Sequence, residues 1–203
     1  MLDSIVDISH HNGTGLYFGA AGLHGVIHKA TQGTSYVDPM LELNRTSALG
    51  AGCRFGTYHF GTDENGADQA RFYLATVGPK KGELLALDFE NSGAAMSIQD
   101  ARMFVQTVHE VVGRWPVIYT GFWAKDLLKG QSDEILARCS LWLAEYGPVA
   151  VLPPGWTAWA LWQYTDGMVP AAVVTPGIGH CDRDRFQGSD SEFEAFWDSV
   201  SAP

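Results

Sequence analysis

The chain has 203 residues, enough for one domain with a substantial core, and its 46% hydrophobic and 12% aromatic content excludes a disordered polymer. Its 13 Lys and Arg against 23 Asp and Glu give a net charge of −10, which argues against nucleic acid and anionic membranes as partners. Neutral ligands such as carbohydrates remain compatible with that charge.

Short apolar, β-branched runs alternate with helical patterns along the chain. The runs predict strands at 4–9 (SIVDIS), 25–31 (GVIHKAT), 55–60 (FGTYHF), 84–90 (LLALDFE), 117–120 (VIYT), 141–146 (LWLAEY) and 160–165 (ALWQYT). A weaker eighth lies near 179–186 (GHCDRDRF). Helical segments are expected around Asp38–Leu49, Asp63–Val77 and Ser97–Gly113. In the third, Ser97 and Asp100 make a capping-box start, and Ile98, Ala101, Phe104, Val105, Val108, Val111 and Val112 form one stripe. Ser189 and Glu192 repeat the capping signature before a C-terminal helix whose apolar face is Phe193, Phe196 and Trp197.

Strand-helix alternation predicts parallel strands with right-handed crossovers, and eight strands predict a closed α/β barrel. A regular eightfold barrel needs about 250 residues. The deficit falls after Tyr119, where strands follow one another with little room for helices. The expected architecture is therefore an irregular TIM-like barrel in a single domain spanning 1–203, with strand-helix units first and nearly bare strands last.

Cys53, Cys139 and Cys181 have no C-x-x-C spacing and are too scattered for a zinc site or a disulfide framework. They read as buried thiols, with room for at most one bridge. The N-terminal MLDSIVDISHH lacks the basic and apolar regions of a secretory signal, and no apolar run reaches the length of a membrane span. This leaves a chain made without a leader, or one whose leader has been removed.

In parallel α/β folds the site forms at the carboxyl ends of the strands. Here those ends carry Asp7, Lys29, Tyr58, Asp88, Glu90, Tyr119, Trp142, Gln163 and Asp182, a mixture of acids and aromatics suited to stacking on pyranose rings and bonding hydroxyls. The stretch LLALDFE is the sharpest case. Side chains two apart on a strand face one way, so an apolar strand aims both Asp88 and Glu90 at one place. Taken alone, that pair suits a structural role or a catalytic one. Asp7 alone would serve equally as a helix cap or a buried partner of Lys29, and His10-His11 as two loop histidines.

DISHHNG (7–13), HKATQGTSYVDP (28–39), AGCRFGTYHF (51–60), LALDFE (85–90), VIYTG (117–121), LWLAEY (141–146), LWQYT (161–165) and CDRDRF (181–186) occur in a fixed order. Together, from about Ile5 to Gly188, they resemble glycoside hydrolase family 25, the Chalaropsis-type lysozymes of bacteria, phages and fungi. The resemblance implies a (β/α)5(β)3 barrel and cleavage of the β-1,4 bond between N-acetylmuramic acid and N-acetylglucosamine in peptidoglycan. It implies catalytic carboxylates at Asp7, Asp88, Glu90 and Asp182, with no metal and no cofactor. CDRDRF carries Asp184 where the family commonly has asparagine, which leaves Asp182 and Asp184 as rivals for the last-strand acid.

On that reading Glu90 is the general acid, its pKa raised by burial and by an ionised Asp88, and Asp88 faces the developing charge or the substrate's acetamido group, with net retention expected. Lys29, Tyr58, Tyr119, Trp142 and Gln163 are the expected substrate contacts. The expected partner is the glycan strand of peptidoglycan, met by a monomer at the bacterial cell wall, outside the cell or in the periplasm. A chain without a leader fits a phage endolysin or a delivered effector. Two other classes compete: a metal-dependent hydrolase using Asp7, His10, Asp88 and Asp182 as ligands, and a cell-wall sugar-binding module without catalysis.

Overall fold

A computed structural model describes residues 1–203. Nine strands form one sheet: β1 (Leu2–Ile8), β2 (Gly25–Gln32), β3 (Tyr36–Val37), β4 (Arg54–Phe60), β5 (Leu84–Asp88), β6 (Val117–Thr120), β7 (Leu141–Ala144), β8 (Leu161–Thr165) and β9 (Asp182–Phe186). The order β1-β9-β8-β7-β6-β5-β4-β2-β3, with β1 also paired to β2, closes eight strands into a barrel and leaves β3 as an appendage on β2. Five helices accompany them: α1 (Leu41–Gly50), α2 (Gly66–Val77), α3 (Ile98–Val112), α4 (Phe122–Leu128) and α5 (Asp190–Val200). No helix is long and apolar enough to cross a membrane.

All eight predicted barrel strands are present, and the shortage of late helices is real: none lies between β7 and β9. The short β3 and the seven-residue α4 carry too little periodicity to be read from sequence. The expectation of a fully parallel barrel fails at the last strand. β9 runs antiparallel to both β8 and β1. It is reached by the helix-free connection 166–181, which imposes no parallel return.

Strand alternation divides the core in two. Outward residues such as Val6, Val26, Phe55, Leu85 and Ile118 pack beneath the helices, whereas Ile5, Ile27, Leu84, Ala86, Val117 and Leu161 fill the barrel. The caps that hold the outer layer follow the sequence pattern. Ser97 accepts from Asp100 N–H, and Gly113 closes α3 at φ 75°. The Asp100 carboxylate does not complete a reciprocal box; it accepts the Gly66 N–H instead, joining α2 to α3.

α5 plugs the amino end of the barrel. Its Ser189–Glu192 capping box is complete, and Phe193 and Trp197 are wholly buried against the inner core. Gly25 makes the plug possible, since a Cβ there would lie 3.1 Å from the Trp197 ring. Truncating Trp197 to alanine would cost about 3–5 kcal/mol. With one end sealed, the other end is the open mouth. All three cysteines are free and buried.

Candidate active site

The mouth holds a cavity of about 500 Å³ lined by 14 residues. All nine site residues expected from sequence border it: Asp7, Asp88, Glu90 and Asp182, with Lys29, Tyr58, Tyr119, Trp142 and Gln163. Ser9, His11, Asn12, Phe60 and Tyr146 complete the lining. Two of these are legible by parity, because Phe60 lies two residues beyond Tyr58 and Tyr146 four beyond Trp142. Ser9 and Asn12 form a tight turn just past β1, with Ser9 N–H donating to Asn12 Oδ1 at 2.9 Å.

β5 ends at Asp88, two residues short of the expected strand, yet its ladder continues: Gly61 N–H bonds Asp88 O at 3.0 Å and Phe89 N–H bonds Tyr119 O at 2.9 Å. Phe89 is fully buried in the outer core, so the residues on either side of it turn to the cavity. Asp88 is 7% exposed, and its Oδ1 is enclosed with no hydrogen-bond partner. The alternative of a structural Asp88 bonded to backbone is therefore not what the geometry contains.

Burial raises both carboxyls. Asp88 stands well above the ordinary carboxylate range, from desolvation first and the Glu90 charge second, with Lys29 opposing. Glu90 is raised by desolvation alone, again opposed by Lys29. Asp88 is the deeper of the two and Glu90 keeps more solvent, so burial raises both carboxyls and Asp88 the more strongly.

Asp7 is not partnered with Lys29. It accepts from Gln163 Nε2 at 2.9 Å, and Gln163 Oε1 accepts from the Tyr119 hydroxyl at 2.7 Å. Lys29 Nζ instead donates to Gln32 at 2.8 Å and lies 4.4 Å from the Phe60 ring centre. Tyr119 and Tyr58 meet the Trp142 ring edge-on, at 4.9 and 6.3 Å between centres. This bracing fixes the aromatic wall.

The antiparallel β9 sets its two acids at different depths. Asp182 begins the strand, so it sits at the rim beside the carboxyl ends of its neighbours, where Tyr146 OH approaches it at 3.4 Å. Burial raises Asp182 to about 6. Asp184 lies one pleat deeper, has no exposed surface and does not border the cavity. His10 points away from the cavity lining, its Nδ1 2.8 Å from the buried Asp38. His10, Asp7, Asp88 and Asp182 therefore do not converge as a ligand set.

A sealed barrel whose mouth combines acids of raised pKa with a braced aromatic wall can protonate a leaving oxygen beside a bound sugar ring. Comparison with known proteins agrees with that chemistry. The chain is 29% identical over 203 residues to "Lysozyme M1" of Streptomyces globisporus, an alignment covering 91% of this chain and 67% of that one. It is 31% identical over 184 residues to the "N,O-diacetylmuramidase" of Chalaropsis sp., covering 79% and 86%. The muramidase structure from Acremonium alcalophilum superposes with a TM-score of 0.83 at 30% identity, covering 98% of this chain and 99% of that one. The family model for glycosyl hydrolases family 25 matches residues 6–172, and the chain belongs to that family of glycoside hydrolases.

Proposed function

We propose that the chain is a lysozyme, a 1,4-β-N-acetylmuramidase that cleaves the MurNAc-β-1,4-GlcNAc bond of peptidoglycan, with residues 1–203 acting as one catalytic domain. The observation that carries this reading is that Asp88 and Glu90, both raised by burial, border one cavity, with Asp88 Oδ1 lacking any protein donor. A buried acceptor without a donor is costly, and a 2-acetamido N–H supplies that donor. Once bonded, Asp88 is stabilised as the anion, and Glu90, its pKa raised by burial, carries the proton beside the leaving oxygen.

Cleavage then follows in two steps. Glu90 gives its proton to the glycosidic oxygen as the C1–O bond breaks, while the acetamido carbonyl oxygen, held by Asp88, closes on C1. Water, deprotonated by Glu90, opens that intermediate from the same face as the departed group, which gives net retention. Tyr58, Tyr119 and Trp142 supply ring contacts, Lys29 and Gln163 polar ones, and Asp7 and Asp182 hold sugar groups or the acid cluster.

The partner is the glycan strand of the cell wall, reached by a monomer from outside the cytoplasmic membrane. Digestion of purified peptidoglycan with mass spectrometry of the fragments tests the reading. The expected products end in reducing N-acetylmuramic acid, first released as the β anomer. Fragments ending in reducing N-acetylglucosamine, or fragments split at an amide, would overturn it.

A further inference from the structure

The segment between β7 and β8 contains no helix and folds back over the outer face of those strands, where Leu152, Trp156 and Trp159 pack against Leu141, Leu143 and Trp162. Before it enters β8 it leaves a pocket of about 280 Å³, with Ser140 and Leu141 on one side and Gly155, Trp156, Thr157 and Trp159 on the other. Leu141 begins β7, whereas the active-site cavity opens at the carboxyl ends of the strands. The pocket therefore lies at the opposite end of the barrel and shares no residue with the catalytic mouth. None of its nine lining residues is ionisable, in a chain of net charge −10.

Both indoles of the pocket are held in place. Trp156 Nε1 donates to Cys139 O at 2.9 Å, which fixes that ring. Trp159 stands against the Trp162 ring at 5.6 Å between centres, and Trp162 is pinned in turn by its Nε1, which donates to Glu145 O at 2.6 Å. Trp159 is only half-buried, and its Nε1, unlike those of Trp156 and Trp162, makes no hydrogen bond within the protein. A braced aromatic face, a free N–H, the hydroxyls of Ser140 and Thr157 and the absence of charge suit one class of ligand, an uncharged pyranose. Its C–H face stacks on indole while its hydroxyls meet the polar groups. An anion would find no cation here, and a cation no carboxylate. Resting on the muramidase reading for its occupant, the geometry points to a second, non-catalytic sugar site that takes an N-acetylglucosamine ring of the glycan strand. N-acetylmuramic acid is excluded by its lactyl carboxyl or the peptide joined to it. A strand held in the pocket stays close to the mouth between cleavages, which raises its effective concentration at the acids.

The probe is the β-1,4-linked tetramer of N-acetylglucosamine, titrated into nitrogen-labelled protein while NMR follows the indole N–H signals. The Trp159 signal is assigned by its absence from Trp159→Phe, and Trp142, which borders the mouth, reports the active site separately. The expected result is a saturating shift of the Trp159 signal in the millimolar range. Thr157→Arg sets a long charged side chain at an exposed position of the pocket rim, so the fold persists and the shift is lost. In kinetics that variant is expected to keep kcat/KM on soluble fragments within about twofold of wild type and to lose about threefold or more on insoluble peptidoglycan, since only the polymer reaches both sites. A Trp159 signal that the sugar does not move, or that choline moves and the sugar does not, would overturn the proposal. So would a Thr157→Arg variant whose activities on the two substrates change in step. The titration needs no turnover. A shifted Trp159 signal without muramidase products leaves the site standing and removes the muramidase reading, and the reverse result removes the site alone.

Discussion

Gln163 and Asp7, 156 positions apart in sequence, are joined by one 2.9 Å hydrogen bond at the floor of the cavity. The bond ties β8 to β1 across the antiparallel β9, and Tyr119 adds β6 through the other end of the same amide. Replacing Gln163 by leucine leaves Asp7 and Tyr119 each without a partner. We expect stability to fall by about 1–3 kcal/mol and kcat/KM by roughly tenfold. Denaturant unfolding and fragment kinetics would measure both, and unchanged kinetics in a less stable variant would make the network purely architectural.

Asp88 presents function and stability as opposing demands. Its folded pKa is raised, so its contribution to stability is complete below the unfolded value of 3.8 and is lost as pH rises through the folded value. Asp88→Asn removes the titration while keeping the shape. The variant is expected to melt above wild type at pH 7, with the gap closing toward pH 4, and to lose about 10²-fold or more in kcat. A gap independent of pH would mean that Asp88 is not a desolvated acid of raised pKa.

Chelation separates this account from metal-dependent hydrolysis. The cation nearest the acids is Lys29, and His10 is engaged with Asp38 outside the cavity lining. Exhaustive EDTA treatment followed by a reducing-end assay is expected to leave full activity. Loss that zinc or magnesium restores would reverse the assignment.

Much of the site is legible in the amino-acid sequence, because strand parity and strand-end position suffice to bring Asp7, Lys29, Tyr58, Tyr119 and Gln163 to one rim. Parity alone cannot rank Asp182 against Asp184, since both face inward. Depth along the barrel axis decides between them, and depth follows from the direction of β9. A parallel β9 would have set Asp184 nearer the rim; the antiparallel one buries it against Trp142. Strand direction has no local signature when no helix precedes the strand. The raised pKa of Asp88 is hidden for a related reason: it depends on how little solvent reaches the carboxyl, and the closed barrel sets that.

In the proposed reaction Glu90 delivers the proton to the leaving oxygen, and its amide variant is the decisive test. Glu90→Gln is nearly isosteric, half-buried and free of any protein hydrogen bond that the exchange would break, so the fold should persist, with melting at or above wild type at pH 7 because a carboxyl of raised pKa is removed. The measurement is release of reducing ends from purified peptidoglycan by folded Glu90→Gln protein beside wild type at the same concentration. The expected loss is about 10²–10⁴-fold, the usual contribution of a positioned general acid. Lysis by the folded variant at close to the wild-type rate would contradict it.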